Sequence, residues 1–180
     1  MKKIIGILLL ISVLVSSCVM LSSCGEEYPD NGKKNKDGTV TYNAYGLRFR
    51  LPDYFRKTKI PDYEIKYYTN DVSFYVDVIT KEEIEDIENE FDFTFDITVE
   101  EFVQYIIDFN DFECTYTYDE KYDTASFYFY YSQDDDIYEY IYCTVLKNES
   151  AIYMVQMVCK EEDYDNYEPL FRLWASYLSC

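Results

Sequence analysis

Hydrophobic and polar residues alternate along most of the chain after Thr39, in short runs typical of half-buried β-strands. In the first clear run, residues 47, 49 and 51 are apolar and face one side, and Pro52 ends the strand. Further strands are predicted at 72–78, 114–118, 125–131, 137–146 and 151–159. The last four follow one another across short polar turns, which predicts an antiparallel meander with one face covered.

Two segments have the helical period instead. Thr98 and Glu101 form a capping-box pattern that predicts a helix from about 99 to 109. Near the end of the chain an apolar stripe predicts a second helix, with Pro169 tolerated in its first turn. The stripe consists of Leu170, Leu173, Trp174, Tyr177 and Leu178. Residues 81–88 fit either a short acidic helix or a charged loop. The pattern therefore predicts an α+β fold, with helices packed on an antiparallel sheet.

The chain begins with the pattern of an export signal. Lys2 and Lys3 precede an apolar run over residues 4–15, and small residues ending in cysteine follow. A run of about 12 residues is short for a membrane-spanning helix, which needs about 20. A retained spanning helix remains the alternative, and it would have to absorb several serines and Cys18.

The end of this leader resembles the lipobox of bacterial lipoproteins. Leu21-Ser22-Ser23-Cys24 has the branched apolar residue, the two small residues and the cysteine of that motif. Residues 15–18 have the same form, but modification at Cys18 would leave an apolar tail on the mature protein. The resemblance implies a signal peptide over 1–23, diacylglycerol on Cys24 and an exported protein anchored to the outer face of a membrane. Two acyl chains are sufficient for stable anchoring. The motif fits a bacterium with a single membrane as well as one with two membranes.

Residues 24–39 are polar and contain Gly and Pro, which predicts a flexible tether of roughly 20 Å. Residues 40–180 then form a single domain, long enough to bury a core without disulfides.

The net charge excludes some partners. It is −19 for the whole chain, and would be −21 after loss of Lys2 and Lys3, because all 35 acidic residues follow the leader. Such a field repels nucleic acids and favours basic partners. The chain contains no histidine, which argues against an enzyme and against a zinc site. No cofactor or metal is predicted.

Three segments give the domain a family resemblance. They are Gly46-Leu47-Arg48-Phe49-Arg50-Leu51-Pro52, Thr98-Val99-Glu100-Glu101-Phe102 and Pro169-Leu170-Phe171-Arg172-Leu173-Trp174-Ala175-Ser176. In this order they resemble the Mog1/PsbP-like group, particularly its small bacterial lipoproteins, over residues 45–178. The resemblance implies an antiparallel sheet with helices packed on it, and accessory or binding roles more often than catalysis. It brings no catalytic residues.

Tyr138, Tyr140 and Tyr142 are the candidate binding residues, because alternate positions of one strand place their hydroxyls on one sheet face. If that face is exposed to solvent, the row of rings binds a glycan or a peptide.

The sequence thus favours a non-enzymatic, membrane-anchored binding module with a protein or glycan partner at the envelope. A surface glycan hydrolase with paired carboxylates is the alternative. Acidic runs at 133–136 and 161–166 offer calcium ligands, although turns and helix starts also favour Asp.

Four cysteines follow the leader: Cys114, Cys143, Cys159 and Cys180. Disulfides are permitted outside the cytosol, and four cysteines allow three pairings. Three of the cysteines lie in predicted strands and are not opposite one another, which favours free thiols. Cys180 is expected to be the most exposed.

Overall fold

The computed structural model describes residues 32–60, 63–87, 93–134 and 137–180 of the chain. Seven strands form the main antiparallel sheet, in the order β4-β5-β6-β10-β9-β8-β7. These strands are β4 (Arg56–Ile60), β5 (Tyr63–Tyr68), β6 (Val72–Thr80), β7 (Tyr116–Asp119), β8 (Thr124–Asp134), β9 (Ile137–Lys147) and β10 (Ala151–Lys160). Because β7 to β10 are neighbours in chain order, the predicted meander is confirmed, as is the antiparallel α+β class.

A second, three-stranded sheet lies outside the meander. It consists of β1 (Lys33–Lys34), β2 (Thr39–Ala44) and β3 (Leu47–Pro52). Leu47, Phe49 and Leu51 of β3 are buried as predicted. Strand β1 lies within the segment that was predicted to be a flexible tether, and it pairs with Val40 and Thr41 of β2. Residues 33–34 and the turn that follows them are therefore part of the folded domain. The prediction that the flexible tether reaches residue 39 is wrong for these residues.

Three helices complete the described structure: α1 (Lys81–Ile87), α2 (Val99–Phe109) and α3 (Tyr164–Ala175). The bounds of α2 agree with the prediction, and both hydrogen bonds of the capping box are present. Helix α3 begins earlier than predicted, so Pro169 lies inside it and not in its first turn. The predicted apolar stripe is also partly wrong, because Leu173 is exposed while Phe171 and Trp174 are buried.

Both faces of the main sheet are covered at β10, so the expectation of one covered face is wrong there, whereas Tyr128 and Tyr130 of β8 remain partly exposed on one side. Helix α2 packs on one face through apolar residues that include Phe102, Val103 and Ile106. The small sheet and α3 together cover the other face. Strand β10 shows the consequence, because its residues are buried from Ala151 to Cys159 on both sides. Such strands show continuous apolar runs instead of alternation.

Among the described residues, no helix is long and apolar enough to cross a membrane.

Candidate functional site

The predicted lipidation site, Cys24, lies outside the described residues, as does the whole leader. Modification at this cysteine therefore stays a prediction.

The candidate tyrosines of β9 do not form an open surface. Tyr140 is 0% and Tyr142 5% exposed, because α3 lies over them. The ring of Phe171 stacks 6.2 Å from that of Tyr140. The expectation of a wet face at these two positions is therefore wrong. The side chain of Tyr138 lies outside the described part of the structure.

A cleft of about 240 Å³ opens at one end of the domain. Three elements that are distant in the sequence form it: the turn before β4, the turn between β5 and β6, and α3 through Tyr167 and Trp174. Half of its lining residues are aromatic and most of the others are polar: Tyr54, Phe55, Arg56, Tyr68, Thr69, Asn70, Asp71, Val72, Tyr167 and Trp174. This combination of rings and convergent polar groups is typical of ligand sites.

Two buried rings form the base of the cleft. Phe55 and Trp174 meet edge to face, with their centroids 5.3 Å apart. Both are almost completely buried, so the base is fixed by core packing. Tyr54 stacks on Phe55 at 5.6 Å and is 63% exposed. An exposed ring supported by a buried one presents a flat apolar surface to a ligand.

The polar side of the cleft is held by a short turn. The Thr69 hydroxyl accepts hydrogen bonds from the backbone N–H groups of Asp71 (3.1 Å) and Val72 (3.0 Å). The backbone N–H of Thr69 also donates to the Val72 carbonyl at 2.8 Å. Side-chain bonds of this kind fix tight turns. The turn therefore holds Asn70 and Asp71, both exposed, at the rim of the cleft.

The electrostatics of the cleft are mixed. Arg56 lies directly across the strand pair from Tyr68. Burial raises the pKa of Tyr167, and the charge of Asp71 adds to the increase. Tyr167 therefore stays a neutral hydroxyl near neutral pH. The cleft thus offers a guanidinium, a carboxylate, an amide and several hydroxyls.

Sequence reasoning did not find this cleft. Its residues come from about 54–56, 68–72 and 167–174. The first two segments have no recognisable motif, and the third was recognised only as part of a helix. The only signal was composition, since the chain has 22 tyrosines.

A group of buried polar side chains was also not predicted from the sequence. On the α2 side of the sheet, the Gln156 side-chain amide donates to the Asp77 carboxylate at 3.3 Å. The Lys66 ammonium lies 4.6 Å from the centroid of the Tyr75 ring. Buried polar groups that have partners of this kind stabilise one arrangement of the core. We assign these residues a structural role.

All four cysteines of the domain are free thiols in the described structure, and Cys180 is exposed, as predicted. Burial raises the pKa of Cys159 to about 12 and also raises that of Cys180. These thiols are therefore protonated near neutral pH and are poor nucleophiles.

Among the described side chains, no three Asp, Glu or Cys residues come together as metal ligands, and the side chains of the acidic run at 133–136 are not among those described. Glu161–Asp163 form a 3₁₀ turn that leads into α3. Residues 135 and 136 of the other run lie outside the described segments.

Comparison with known proteins gives structural similarity only. No protein-family model matches the chain, and no curated protein matches its sequence significantly. The solution structure of cyanobacterial PsbP from Synechocystis is similar with a TM-score of 0.48 and 12% identity, over 88% of this chain and 97% of that one. The crystal structure of the Ran-binding protein Mog1p from Saccharomyces cerevisiae is similar with a TM-score of 0.45 and 12% identity, over 82% and 89%.

Both names belong to the group that the sequence resembles. At these scores the similarity carries no argument about ligand or activity, and the fold class rests on the topology described above.

Proposed function

We propose that this chain is a non-enzymatic binding module, held on the outer face of a bacterial membrane by lipid on Cys24, whose cleft takes a saccharide of the cell envelope. The observation that carries the binding role is the lining of the cleft. It combines the exposed ring of Tyr54 with hydrogen-bonding groups on Arg56, Asn70 and Asp71.

The chemistry of the lining favours a saccharide. A sugar ring has an apolar C–H face that packs on an aromatic ring, and hydroxyls that need donors and acceptors around the edge. Tyr54 and Tyr167 supply rings, while Asn70 and Asp71 supply polar atoms. A cavity of about 240 Å³ is below the range of about 300–1,000 Å³ that is common for drug-sized ligands. The cleft therefore has room for one sugar ring or the end of a chain.

Three features support a role without catalysis. The chain has no histidine. Within the described residues, Asp71 is the only carboxylate that lines the cleft, whereas glycosidases use a pair. Hydrogen bonds lower the pKa values of Asp37 and Glu101, which makes neither suited to be a general acid, since a general acid requires an upward shift.

The location is tested by intact mass and membrane partition in a bacterial host. We expect the wild type to lose residues 1–23, to gain a diacylglyceryl group and to sediment with membranes. Cys24→Ala should do none of these, while Cys18→Ala should behave as the wild type. A retained leader, or lipid on Cys18, would contradict the anchor.

The cleft is tested by calorimetry of the full chain with N-acetylchitotetraose, cellotetraose and a soluble digest of bacterial peptidoglycan. We expect at least one of these probes to bind, and Tyr54→Ala to weaken that binding about tenfold or more, since a central aromatic contact contributes more than about 1 kcal/mol. Asp71→Asn should weaken it less. Tyr122→Ala removes a similarly exposed ring, 55% exposed, from the turn between β7 and β8, and should have no effect.

Equal loss in the Tyr54 and Tyr122 variants, or no binding of any probe, would overturn the saccharide site. Release of shorter sugars during incubation would overturn the non-enzymatic role.

A further inference from the structure

A cluster of four tyrosine rings, which we call the tyrosine face, lies on the α3 side of the main sheet. It consists of Tyr128 and Tyr130 of β8, Tyr140 of β9 and Tyr164 of α3. The centroid of the Tyr140 ring lies 4.5 Å from that of Tyr164 and 5.5 Å from those of both Tyr128 and Tyr130. Tyr128 is 40% and Tyr130 47% exposed, so the face is open to solvent above the buried Tyr140.

The register of the meander explains why these rings are exposed. Tyr128 pairs with Tyr142, and Tyr130 pairs with Tyr140. Helix α3 covers the two β9 residues but contacts β8 through its first residue, where the ring of Tyr164 lies 6.3 Å from that of Tyr130, and it leaves Tyr128 and Tyr130 partly exposed. The alternate residues of β8, Phe127 and Phe129, point to the opposite face and are buried in the α2 core. Tyr128 and Tyr130 are therefore not needed to fill that core.

Uncompensated acidic residues lie beside the face. Glu161 lies in the 3₁₀ turn that leads into α3, and Asp165 follows Tyr164 in the first turn of that helix. Burial raises the pKa of Tyr130, and the neighbouring tyrosines and the charges of these two carboxylates add to the increase. Glu162 pairs with Lys160 and Glu168 with Arg172. Neither Glu161 nor Asp165 forms an ion pair with any described residue.

The cluster also contains an unsatisfied polar group. The hydroxyl of Tyr140 is buried without a hydrogen-bond partner in the described structure. Burial raises the pKa of Tyr140, followed by the charge of Glu168. A buried donor without a partner is unfavourable, and such a group in a native structure requires an explanation.

We propose that the tyrosine face binds a basic segment of a partner protein, with its Lys or Arg side chains over the rings of Tyr128 and Tyr130 and its charge balanced by Glu161 and Asp165. Cations bind over tyrosine rings within about 6 Å, and neighbouring carboxylates strengthen the attraction. The net charge of −19 favours a basic partner and repels anionic ones. The face does not include any residue of the saccharide cleft, so this proposal is independent of the proposed function.

The experiment uses the full chain and a fluorescein-labelled octa-arginine peptide, measured by fluorescence anisotropy at about 0.15 M salt, where long-range attraction is largely screened. We expect Tyr130→Ala to weaken binding about three- to tenfold, since it removes one cation–ring contact without changing charge. Tyr128→Ala should act in the same direction. Tyr130→Phe should retain binding because the ring remains.

Matched controls distinguish binding at the tyrosine face from nonspecific attraction to the negatively charged protein. Tyr122 is an exposed tyrosine whose ring already lies 4.5 Å from the Lys121 ammonium, so Tyr122→Ala should leave binding within about twofold. The double variant Glu161→Gln, Asp165→Asn should weaken binding more than Glu82→Gln, Asp86→Asn, which removes the same charge from the exposed side of α1.

Equal effects of the Tyr130 and Tyr122 variants, or of the two acidic pairs, would overturn the proposal. So would a Phe variant as weak as the Ala variant. Sedimentation velocity provides one more outcome, because a dimer that dissociates on Tyr130→Ala would identify the occupant as a second copy and contradict the basic partner. Near-ultraviolet circular dichroism of each variant verifies that it folds. Competition by saccharides would show that the face and the cleft are one site, and would also overturn the proposal.

Discussion

Two buried tyrosines on neighbouring strands differ in what their hydroxyls do. The Tyr153 hydroxyl donates to the carbonyl of Tyr45 at 2.8 Å and accepts from the Asn148 amide at 3.0 Å. It thereby attaches the turn between β2 and β3 to the main sheet. The Tyr140 hydroxyl has no partner in the described structure. The sequence pattern does not distinguish these two tyrosines. Only the packing determines which hydroxyl has hydrogen-bond partners.

The two hydroxyls predict opposite effects on stability. Tyr153→Phe should lower the free energy of unfolding by about 1–3 kcal/mol, since it leaves two groups without their partner. Tyr140→Phe should leave it unchanged or raise it by up to about 1 kcal/mol, since no bond is lost. Urea unfolding of both variants beside the wild type measures the difference. Equal destabilisation would show that the Tyr140 hydroxyl has a partner.

The lowered pKa of Asp37 predicts that the stability of the protein depends on pH through the small sheet. The hydrogen bond from the Thr39 hydroxyl, at 2.7 Å, and then the Arg50 side chain lower the pKa of Asp37 from 3.8 to about 2. Because the folded state favours the charged form, its stabilisation is complete above pH 3.8 and is lost as the pH falls through about 2.

The stability difference between wild type and Asp37→Asn should therefore be larger at about pH 6 than at about pH 2. Urea titrations at the two pH values measure it, and Asp119→Asn, on β7 away from this sheet, serves as the control. A constant difference would contradict the coupling.

At the scale of elements, local signals determined what the sequence could predict. Helix α2 was predicted with its correct bounds because Thr98 and Glu101 form a capping box that is visible in four residues. The start of α3 was missed because Asp163 makes no side-chain capping bond there, and Pro169 was assigned to the first turn. Tyr140 and Tyr142 of β9 were correctly assigned to the same face of the sheet, but that face was wrongly predicted to be exposed. The helix that covers it, α3, follows later in the chain.

The capping box of α2 predicts a defined loss of stability. Thr98→Ala should lower the free energy of unfolding by about 1 kcal/mol, because the N–H of Glu101 loses the acceptor 3.2 Å away. Urea unfolding is the measurement. Gln104→Ala, on the exposed side of the same helix, should change it by less than about 0.5 kcal/mol. Equal effects would show that the cap does not stabilise the helix.

At the scale of the whole molecule, the sequence predicted the meander but not the layer that faces it. The nearly continuous apolar run of β10, Ala151–Cys159, is the signal that would have predicted two covered faces. The cleft was unpredictable for another reason. It joins Tyr54, Asn70 and Trp174 through the packing of α3 beside two turns, and no local pattern encodes that contact.

The most direct test of the binding role is nuclear magnetic resonance of the full chain, labelled with nitrogen-15, during titration with the saccharide that binds most tightly in calorimetry. We expect the amide shifts to concentrate at residues 54–56, 68–72, 167 and 174, which line the cleft. Shifts confined to other surfaces, or no shifts at saturating saccharide, would contradict it.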